Sequence, residues 1–214
     1  KVEENKARIN EILFNLPNIL HESVPLGKDE TDNVVLRVWG KPPKFDFKPK
    51  NHLEVALNLG LIDEERAAKV AGRGFAYLKK ELVLLDYAIM RYAMNFLIKK
   101  GYVLVEPPFM IRREPYEGVV ELADFENVMY KIENEDLYLI ATSEHAMAAM
   151  YMNEIINRED LPIKLVGVSP NFRKEVGAHG KYTKGLFRMH QFNKVEQFIF
   201  CHPGQSWELF EEIQ

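Results

Sequence analysis

The side chains best suited to chemistry are concentrated near the end of the 214-residue chain. Arg173 and Glu175 stand two positions apart, so on a strand they would project from the same face. An arginine beside a carboxylate can hold a phosphate and fix a neighbouring amine or base. An exposed ion pair gives the same pattern, so these two residues alone do not establish a binding site.

A longer run, Leu186 to Phe200, is predicted to be one strand with a chemically varied face. Alternation places Arg188, Phe192 and Glu196 together, with about 13 Å between successive members at about 3.3 Å per residue. A cation suits a phosphate, a ring suits a stacked base at about 1–3 kcal/mol, and a carboxylate suits an ammonium group. The same face also carries His190 and Lys194, whereas the opposite, more apolar face carries Met189, Val195 and Ile199.

The segment between these two stretches, Val176 to Gly185, is predicted to be a loop. Its glycines allow the backbone to turn tightly and approach a ligand closely. Its lysines, Lys181 and Lys184, suit a phosphate or the end of an RNA.

Together these residues closely resemble motif 2 of the class II aminoacyl-tRNA synthetases. The resemblance covers Phe172 to Glu175, the glycine-bearing loop and the run to Glu196, whose His-Gln-Phe-x-Lys-x-Glu ending has the form found in the seryl enzymes. The segment Gly101 to Pro108 resembles motif 1, which forms the dimer interface of that class. Thr142-Ser143-Glu144 resembles the serine-binding Thr-x-Glu motif, although the same residues also suit a helix N-terminus.

The resemblance implies roles for individual residues. Arg173 would be the catalytic residue. ATP would be bound by Arg173, Lys174, Glu175, Arg188, Met189 and Phe192. Serine would be bound by Thr142, Ser143, Glu144, Arg173 and Glu196. Lys181 and Lys184 would guide the tRNA acceptor end, and no metal ligand is expected within this stretch of chain.

The implied activity is that of a serine–tRNA ligase. ATP and Mg²⁺ would support activation of L-serine to seryl-adenylate, and the seryl group would pass to the 3′ end of tRNA(Ser), and of tRNA(Sec) as well. The implied protein is a cytoplasmic homodimer of the translation machinery. Motif 3, a glycine-rich run with an arginine, does not occur before Gln214. We therefore expect the chain to be part of a longer enzyme and to be inactive by itself.

The elements around these motifs predict an α+β fold, with a mostly antiparallel sheet flanked by helices. Helices are predicted at Asn51–Gly60, Asp63–Gly72, Tyr77–Lys100 and Ser143–Asn157. Strands are predicted at Val34–Trp39, Tyr102–Glu106, Val128–Glu133, Leu137–Ile140, Lys164–Ser169, Asn171–Glu175 and Leu186–Phe200. Residues 1–16 are predicted to be the tail of a longer helix or an ordinary short N-terminal helix, and residues 17–50 to form a proline-rich connector. The resemblance implies that residues 1–16 end the tRNA-binding coiled-coil arm and that residues 51–214 form the class II catalytic domain, truncated before motif 3.

Composition limits the other possibilities. The net charge of −4 and the pI of about 5.9 give no domain-wide basic field for nucleic acid. The single cysteine, Cys201, excludes an intrachain disulfide and cysteine-rich zinc motifs. No apolar run approaches the length of a membrane span. Three alternatives stay open: a paralogue that charges a carrier protein, a non-enzymatic dimerisation or RNA-binding module, and a class II enzyme for threonine or proline.

Overall fold

A computed structural model of the chain describes residues 1–120, 127–175 and 185–214. These fall into two compact units, Lys1–Lys50 and Asn51–Gln214. In the first unit, helix α1 (Val2–Phe14) has no buried residue. The strand predicted at Val34–Trp39 is wrong, because these residues pair with no other strand of the described chain and stay exposed.

The second unit begins with two short helices, as predicted, and both have strong caps. Helix α2 (His52–Asn58) starts with a capping box in which Asn51 and Glu54 exchange side-chain and backbone hydrogen bonds. Helix α3 (Glu64–Ala71) starts after strand β1 (Ile62–Asp63), where Asp63 accepts from the Arg66 amide. Gly72, at a positive φ of 94°, ends it.

The long helix starts later than predicted. Tyr77 and Leu78 form strand β2, antiparallel to β1, and Lys80 has a positive φ of 54°. Helix α4 therefore runs from Glu81 to Lys99. The apolar spacing of Tyr77 and Leu78 suited a helix, but their backbones are used for pairing with Ile62–Asp63 instead.

The remaining elements follow in chain order: β3 (Val103–Val105), β4 (Met110–Ile111), α5 (Arg113–Glu117), β5 (Tyr138–Leu139), α6 (Ser143–Ala148), β6 (Ile163–Phe172), β7 (Gln191–Phe200) and α7 (Ser206–Ile213). Several predicted bounds are wrong. Val128–Glu133 forms only an isolated bridge, at Lys131, and helix α6 ends at Ala148 well before Asn157. Both strands of the predicted site are shorter than predicted at the ends nearest in sequence to residues 176–185. Strand β6 ends at Phe172 and β7 begins at Gln191.

The sheet that carries the predicted site has the order β3-β6-β7. Strands β6 and β7 are antiparallel along their full lengths, with Gly167 opposite Glu196 and Phe172 opposite Gln191. Strand β3 runs parallel to β6, so the sheet is mixed, and β4 and β5 form a separate antiparallel pair. The α+β class predicted from the sequence is confirmed.

The two predicted strands at Lys164–Ser169 and Asn171–Glu175 are one continuous strand that includes Pro170. The Phe172 amide donates to Ile140 O, on the side away from β7. The nitrogen of Pro170, two residues earlier on the same strand, faces the same side. Pairing with β3 has already stopped at Gly167. A proline is tolerated there because no ladder hydrogen bond is lost.

The more apolar face of β7 carries Val195 and Ile199, as predicted, and both side chains are partly buried. Val195 and Ile199 pack against a core cluster of Leu97 from α4, Tyr102 and Val166. The opposite face of β7 is thereby directed towards α6, where the site lies. In the described residues, no helix is long and apolar enough to cross a membrane.

Candidate active site

The carboxylate of Glu196 organises one end of the site. Its Oε2 accepts hydrogen bonds from Thr142 Oγ1 at 2.5 Å, Ser143 Oγ at 2.7 Å and the Glu144 amide at 3.0 Å. Its Oε1 lies 2.6 Å from Lys194 Nζ. The two segments of sequence that meet here, residues 142–144 and 194–196, were predicted to lie together, but the carboxylate is already bound on both oxygens by groups of the protein.

Glu196 also caps helix α6 from outside the helix. Thr142 is the N-cap residue, yet its Oγ1 lies 3.4 Å from the Glu144 amide, farther than Glu196 Oε2. A carboxylate at a helix N-terminus satisfies an otherwise unpaired amide and complements the helix dipole. The predicted capping role of this segment is therefore confirmed, with Thr142 at the N-cap and Glu196 as the nearer acceptor of the Glu144 amide.

Glu196 stays ionised despite its partial burial. Burial acts to raise the pKa of this carboxyl, but hydrogen bonds from Lys194, Thr142 and Ser143 outweigh burial and hold the pKa below its ordinary value. Lys194 Nζ also donates to Thr142 Oγ1 at 2.8 Å. A closed network of one anion, one cation and two hydroxyls results.

Arg173 follows directly after β6 and extends over the site. Its Nε donates to Ala141 O at 3.2 Å, and its guanidinium carbon lies 5.2 Å from the centre of the Phe192 ring. A guanidinium over an aromatic face gains cation–π attraction in addition to its hydrogen bond. These two contacts fix the cation beside the Thr142–Glu144 segment.

A cavity of about 430 Å³ lies between these groups. Charged side chains dominate its wall: Arg173, Arg188 and Lys194 against Glu144 and Glu175. Val128, Ala141, Thr142 and His145 complete the described lining. Such a wall suits a ligand that carries both anionic groups and an ammonium group.

Glu175 and Arg188 are placed differently from the prediction. Strand β6 ends at Phe172, and Glu175 has a positive φ of 50°, so the alternation that would put it beside Arg173 does not reach it. Arg188 precedes β7 and is not on the strand face of Phe192 and Glu196. Instead Arg188 Nε lies 3.1 Å from Glu175 Oε2, and both side chains still line the cavity.

Phe192 and Met189 line a second cavity of about 330 Å³, together with Phe75, Leu78 and Asp86. The residues predicted to bind ATP are thus divided between two cavities. Arg173, Glu175 and Arg188 line the charged cavity, and Met189 and Phe192 line the second one. Lys174 lies apart, beside Met129, Lys131 and Tyr138. Lys181 and Lys184 fall outside the described residues.

Sequence reasoning gave no role to three residues of the site. Lys194 and His190 were placed on the polar face of β7 by alternation, and only their contacts reveal what they do. His145 is nearly fully buried against Tyr116, with ring centres 4.8 Å apart. A histidine at the third position of a short helix carries no recognisable sequence signal. Among the described residues, no group of three or more His, Cys, Asp or Glu side chains is placed to hold a metal ion.

His145 predicts a pH-dependent stability. Burial lowers its pKa from 6.5 to about 4. Between pH 6.5 and 4, His145 is protonated in the unfolded chain but not in the folded chain. The stability present above pH 6.5 is therefore lost as the pH falls towards 4. We expect a loss of about 2–3 kcal/mol in the free energy of unfolding from this residue.

Urea unfolding of the full-length protein between pH 7 and 4.5 measures this effect. His145→Gln should remove much of the pH dependence, whereas the control His202→Gln, at an exposed position, should retain it. An H145Q protein that loses as much stability as the wild type would contradict the assignment.

Comparisons with known proteins place the chain beside serine–tRNA ligases. The profile of the tRNA synthetase class II core domain (G, H, P, S and T) matches residues 127–214. A serine–tRNA ligase of Methanocella arvoryzae is 56% identical over 213 residues, which are 100% of this chain and 50% of that protein. The chain spans about half the length of the curated relatives it matches.

Solved structures give the same result. The crystal structure of seryl-tRNA synthetase from Pyrococcus horikoshii complexed with ATP superposes with a TM-score of 0.94 at 50% identity, over 99% of this chain and 52% of that one. Cytoplasmic serine–tRNA ligase from Naegleria fowleri in complex with AMP gives 0.91 at 39% identity, over 99% and 51%.

Proposed function

Because this chain belongs to the seryl-tRNA synthetase family of class II aminoacyl-tRNA synthetases, we propose that its protein is a serine–tRNA ligase. It activates L-serine with ATP and transfers the seryl group to tRNA(Ser), and to tRNA(Sec) as well. The observation that carries the proposal is the charged cavity, in which Arg173 faces the Thr142–Glu144 segment held by Glu196. The ATP and AMP complexes of the structural relatives support nucleotide use.

In the first step, a carboxylate oxygen of serine attacks the α-phosphorus of ATP, and the bond to the β-phosphate oxygen breaks to release pyrophosphate. Negative charge builds on the α-phosphate in the transition state. Arg173, fixed by Ala141 O and the Phe192 ring, supplies a preorganised positive charge there. In the second step, a hydroxyl of the terminal adenosine of tRNA attacks the seryl carbonyl and AMP leaves.

The same groups explain how serine is held. Glu144 lines the cavity, and its carboxylate is the group proposed to receive the serine ammonium. Glu196 acts mainly through its partners, because both of its oxygens are occupied by Lys194 and by the donors of residues 142–144. A site with hydrogen-bonding groups fixed for the serine hydroxyl rejects an amino acid that lacks one by up to about 10⁴–10⁵.

Mg²⁺ is proposed to enter with ATP. This ion prefers oxygen ligands and is often held by substrate phosphates plus one or two carboxylates. The phosphates of ATP would supply its ligands here, because Glu144 is proposed to receive the serine ammonium and Glu175 is paired with Arg188. The ion would neutralise phosphate charge, and the residues of the chain would do the positioning.

Assembly and location are further parts of the proposal. The motif 1 segment Gly101–Pro108 is proposed to form a homodimer contact, supported by the exposed side chains of Val103 and Leu104. Residues 1–16, 17–50 and 51–214 are proposed as the end of the tRNA-binding arm, a connector and the catalytic domain. The protein would work in the cytoplasm, where translation uses its product.

Phe192→Ala is expected to weaken ATP binding about tenfold and serine binding by less than about threefold. The reason is the loss of a stacking surface for the adenine, worth about 1–3 kcal/mol. Calorimetry on the full-length protein measures both affinities, with the half-exposed Phe210 changed to alanine as a control. An equal effect on both ligands would mean that Phe192 only stabilises the fold.

The proposed function is tested by amino-acid-dependent exchange of pyrophosphate into ATP, followed by charging of tRNA. We expect exchange with serine, and much less with threonine or alanine. Exchange with threonine alone, or transfer only to a carrier protein, would favour one of the alternative class II functions.

A further inference from the structure

His190 stands directly behind the proposed catalytic residue. It lies one position before β7, and its main chain extends the β6–β7 pairing by one step, since the Arg173 amide donates to His190 O at 2.9 Å. Its imidazole Nδ1 also lies 2.9 Å from Arg173 O. His190 therefore contacts both peptide groups that flank the Arg173 Cα. Its carbonyl oxygen binds the Arg173 amide, and its imidazole contacts the Arg173 carbonyl oxygen.

A third contact restricts the protonation of the ring. Nδ1 lies 2.7 Å from Tyr130 Oη as well as 2.9 Å from Arg173 O. A carbonyl oxygen carries no proton, so the contact with Arg173 O is a hydrogen bond only when Nδ1 is the donor. A single Nδ1–H shared between Arg173 O and Tyr130 Oη satisfies both distances, since the hydroxyl oxygen also accepts.

The orientation of the ring is fixed from the other side. Phe75 stacks on it with ring centres 5.1 Å apart and an interplanar angle of 12°. The His190 amide donates to Gly74 O at 2.9 Å. Gly74 has a positive φ of 82°, and a Cβ at this position would collide with the imidazole. The Gly74–Phe75 segment therefore packs against the imidazole ring and fixes its orientation.

We propose that His190 is a positioning residue, which holds the backbone of Arg173 through an Nδ1–H donor. The guanidinium of Arg173 extends from this backbone towards Ala141 O and the Phe192 ring. Arg173 lies one position beyond Phe172, the last residue of β6 in the ladder. Its main chain is placed by the two contacts with His190 and by the adjoining Lys174 amide, which donates to Val128 O at 2.7 Å. This inference rests on the proposed function of Arg173, and it adds a residue that acts only through Arg173.

A pair of substitutions isolates the donor. In His190→Asn, the amide nitrogen is attached to Cγ, as Nδ1 is in histidine, and it can still reach Arg173 O. In His190→Gln, the amide lies one methylene farther out, near the position of Nε2. Both variants are neutral and both lose the ring that stacks on Phe75, so they differ mainly in where the donor lies.

Serine-dependent pyrophosphate exchange by the full-length variants is the measurement. We expect kcat to fall about tenfold in H190Q, the size expected for loss of one buried hydrogen bond, with the KM for serine changed by less than about threefold. H190N should stay within about threefold of wild type in kcat. Both variants should melt below wild type because each loses the ring packing, and H190Q should melt only a few degrees below H190N, the effect of one hydrogen bond.

The possible outcomes are distinct. Equal kcat values for H190N and H190Q would overturn the proposal, whether both are high or both are low, since the position of the donor would then not matter. If wild-type protein shows no serine-dependent exchange, the proposed function fails instead. Long-range proton–nitrogen spectra of histidine-labelled wild-type protein add a test without substitution: a proton on Nδ1 is expected, and a neutral ring protonated only on Nε2 would overturn the proposal.

Discussion

Arg173→Ala is expected to lower the rate of serine-dependent pyrophosphate exchange about 10²–10³-fold in the full-length protein, as for the loss of one preorganised transition-state donor. The guanidinium is fixed by Ala141 O and by the Phe192 ring before any ligand binds. The alanine variant loses both the charge and this preorganisation. The effect should appear mainly in kcat, because charge on the α-phosphate develops in the transition state.

Two matched variants separate this role from general effects. Arg173→Lys keeps the charge but loses the planar donor that contacts Ala141 O and the ring, so it should recover little of the lost rate. Arg158→Ala, which removes an exposed arginine that does not line the charged cavity, should stay within about twofold of wild type. A near-normal rate for R173A would refute the catalytic role.

Glu196→Ala is expected to have the second large effect, on stability as well as activity. It removes the acceptor of Lys194, the Thr142 and Ser143 hydroxyls and the Glu144 amide in one step. Leaving a partly buried cation and several donors without their partner should lower the free energy of unfolding by about 3 kcal/mol. Exchange should fall more than about 10²-fold, because the N-terminus of α6 would no longer be held against β7.

Denaturant unfolding and exchange assays on the same preparations test this. Glu196→Gln keeps the size of the side chain and one acceptor oxygen, so it should retain part of the stability but still lose the ion pair with Lys194. Glu133→Ala, at an exposed position, serves as the control. Wild-type stability in E196A would show that the network is incidental to the fold.

The sequence predicted those parts of the site that depend on strand periodicity. Phe192, Lys194 and Glu196 share a face of β7, and Val195 and Ile199 pack on the opposite side, because side chains in a strand alternate. This held where the backbone is paired in register with β6, from Gln191 onwards.

The same reasoning failed where pairing stops. Arg188 was placed on the strand face, but Gly185–Phe187 forms a 3-10 turn, and Gly185 has a positive φ of 78°. The amide of Leu186 is instead bound by His52 Nε2 at 3.0 Å, from a helix more than a hundred residues earlier in the sequence. Alternation carries no information about such a contact, so the pairing of Arg188 with Glu175 was not foreseen.

Long-range partners were the other missing part. The sequence indicated that Thr142–Glu144 and Glu196 both belong to a serine site, but it assigned their donors and acceptors to the ligand. In the structure they are bound to one another and to Lys194. Likewise, His190 was one polar residue in a row, and its role emerges only from its contacts with Arg173, Tyr130 and Gly74–Phe75.

The most direct test of the central claim is serine-dependent exchange of labelled pyrophosphate into ATP by the full-length protein. Serine, threonine and alanine should be compared in wild type and R173A side by side. The predicted result is rapid exchange with serine, at most weak exchange with the other two amino acids, and a loss of about 10²–10³-fold in R173A. Exchange that does not depend on serine, or that survives in R173A, would contradict the account.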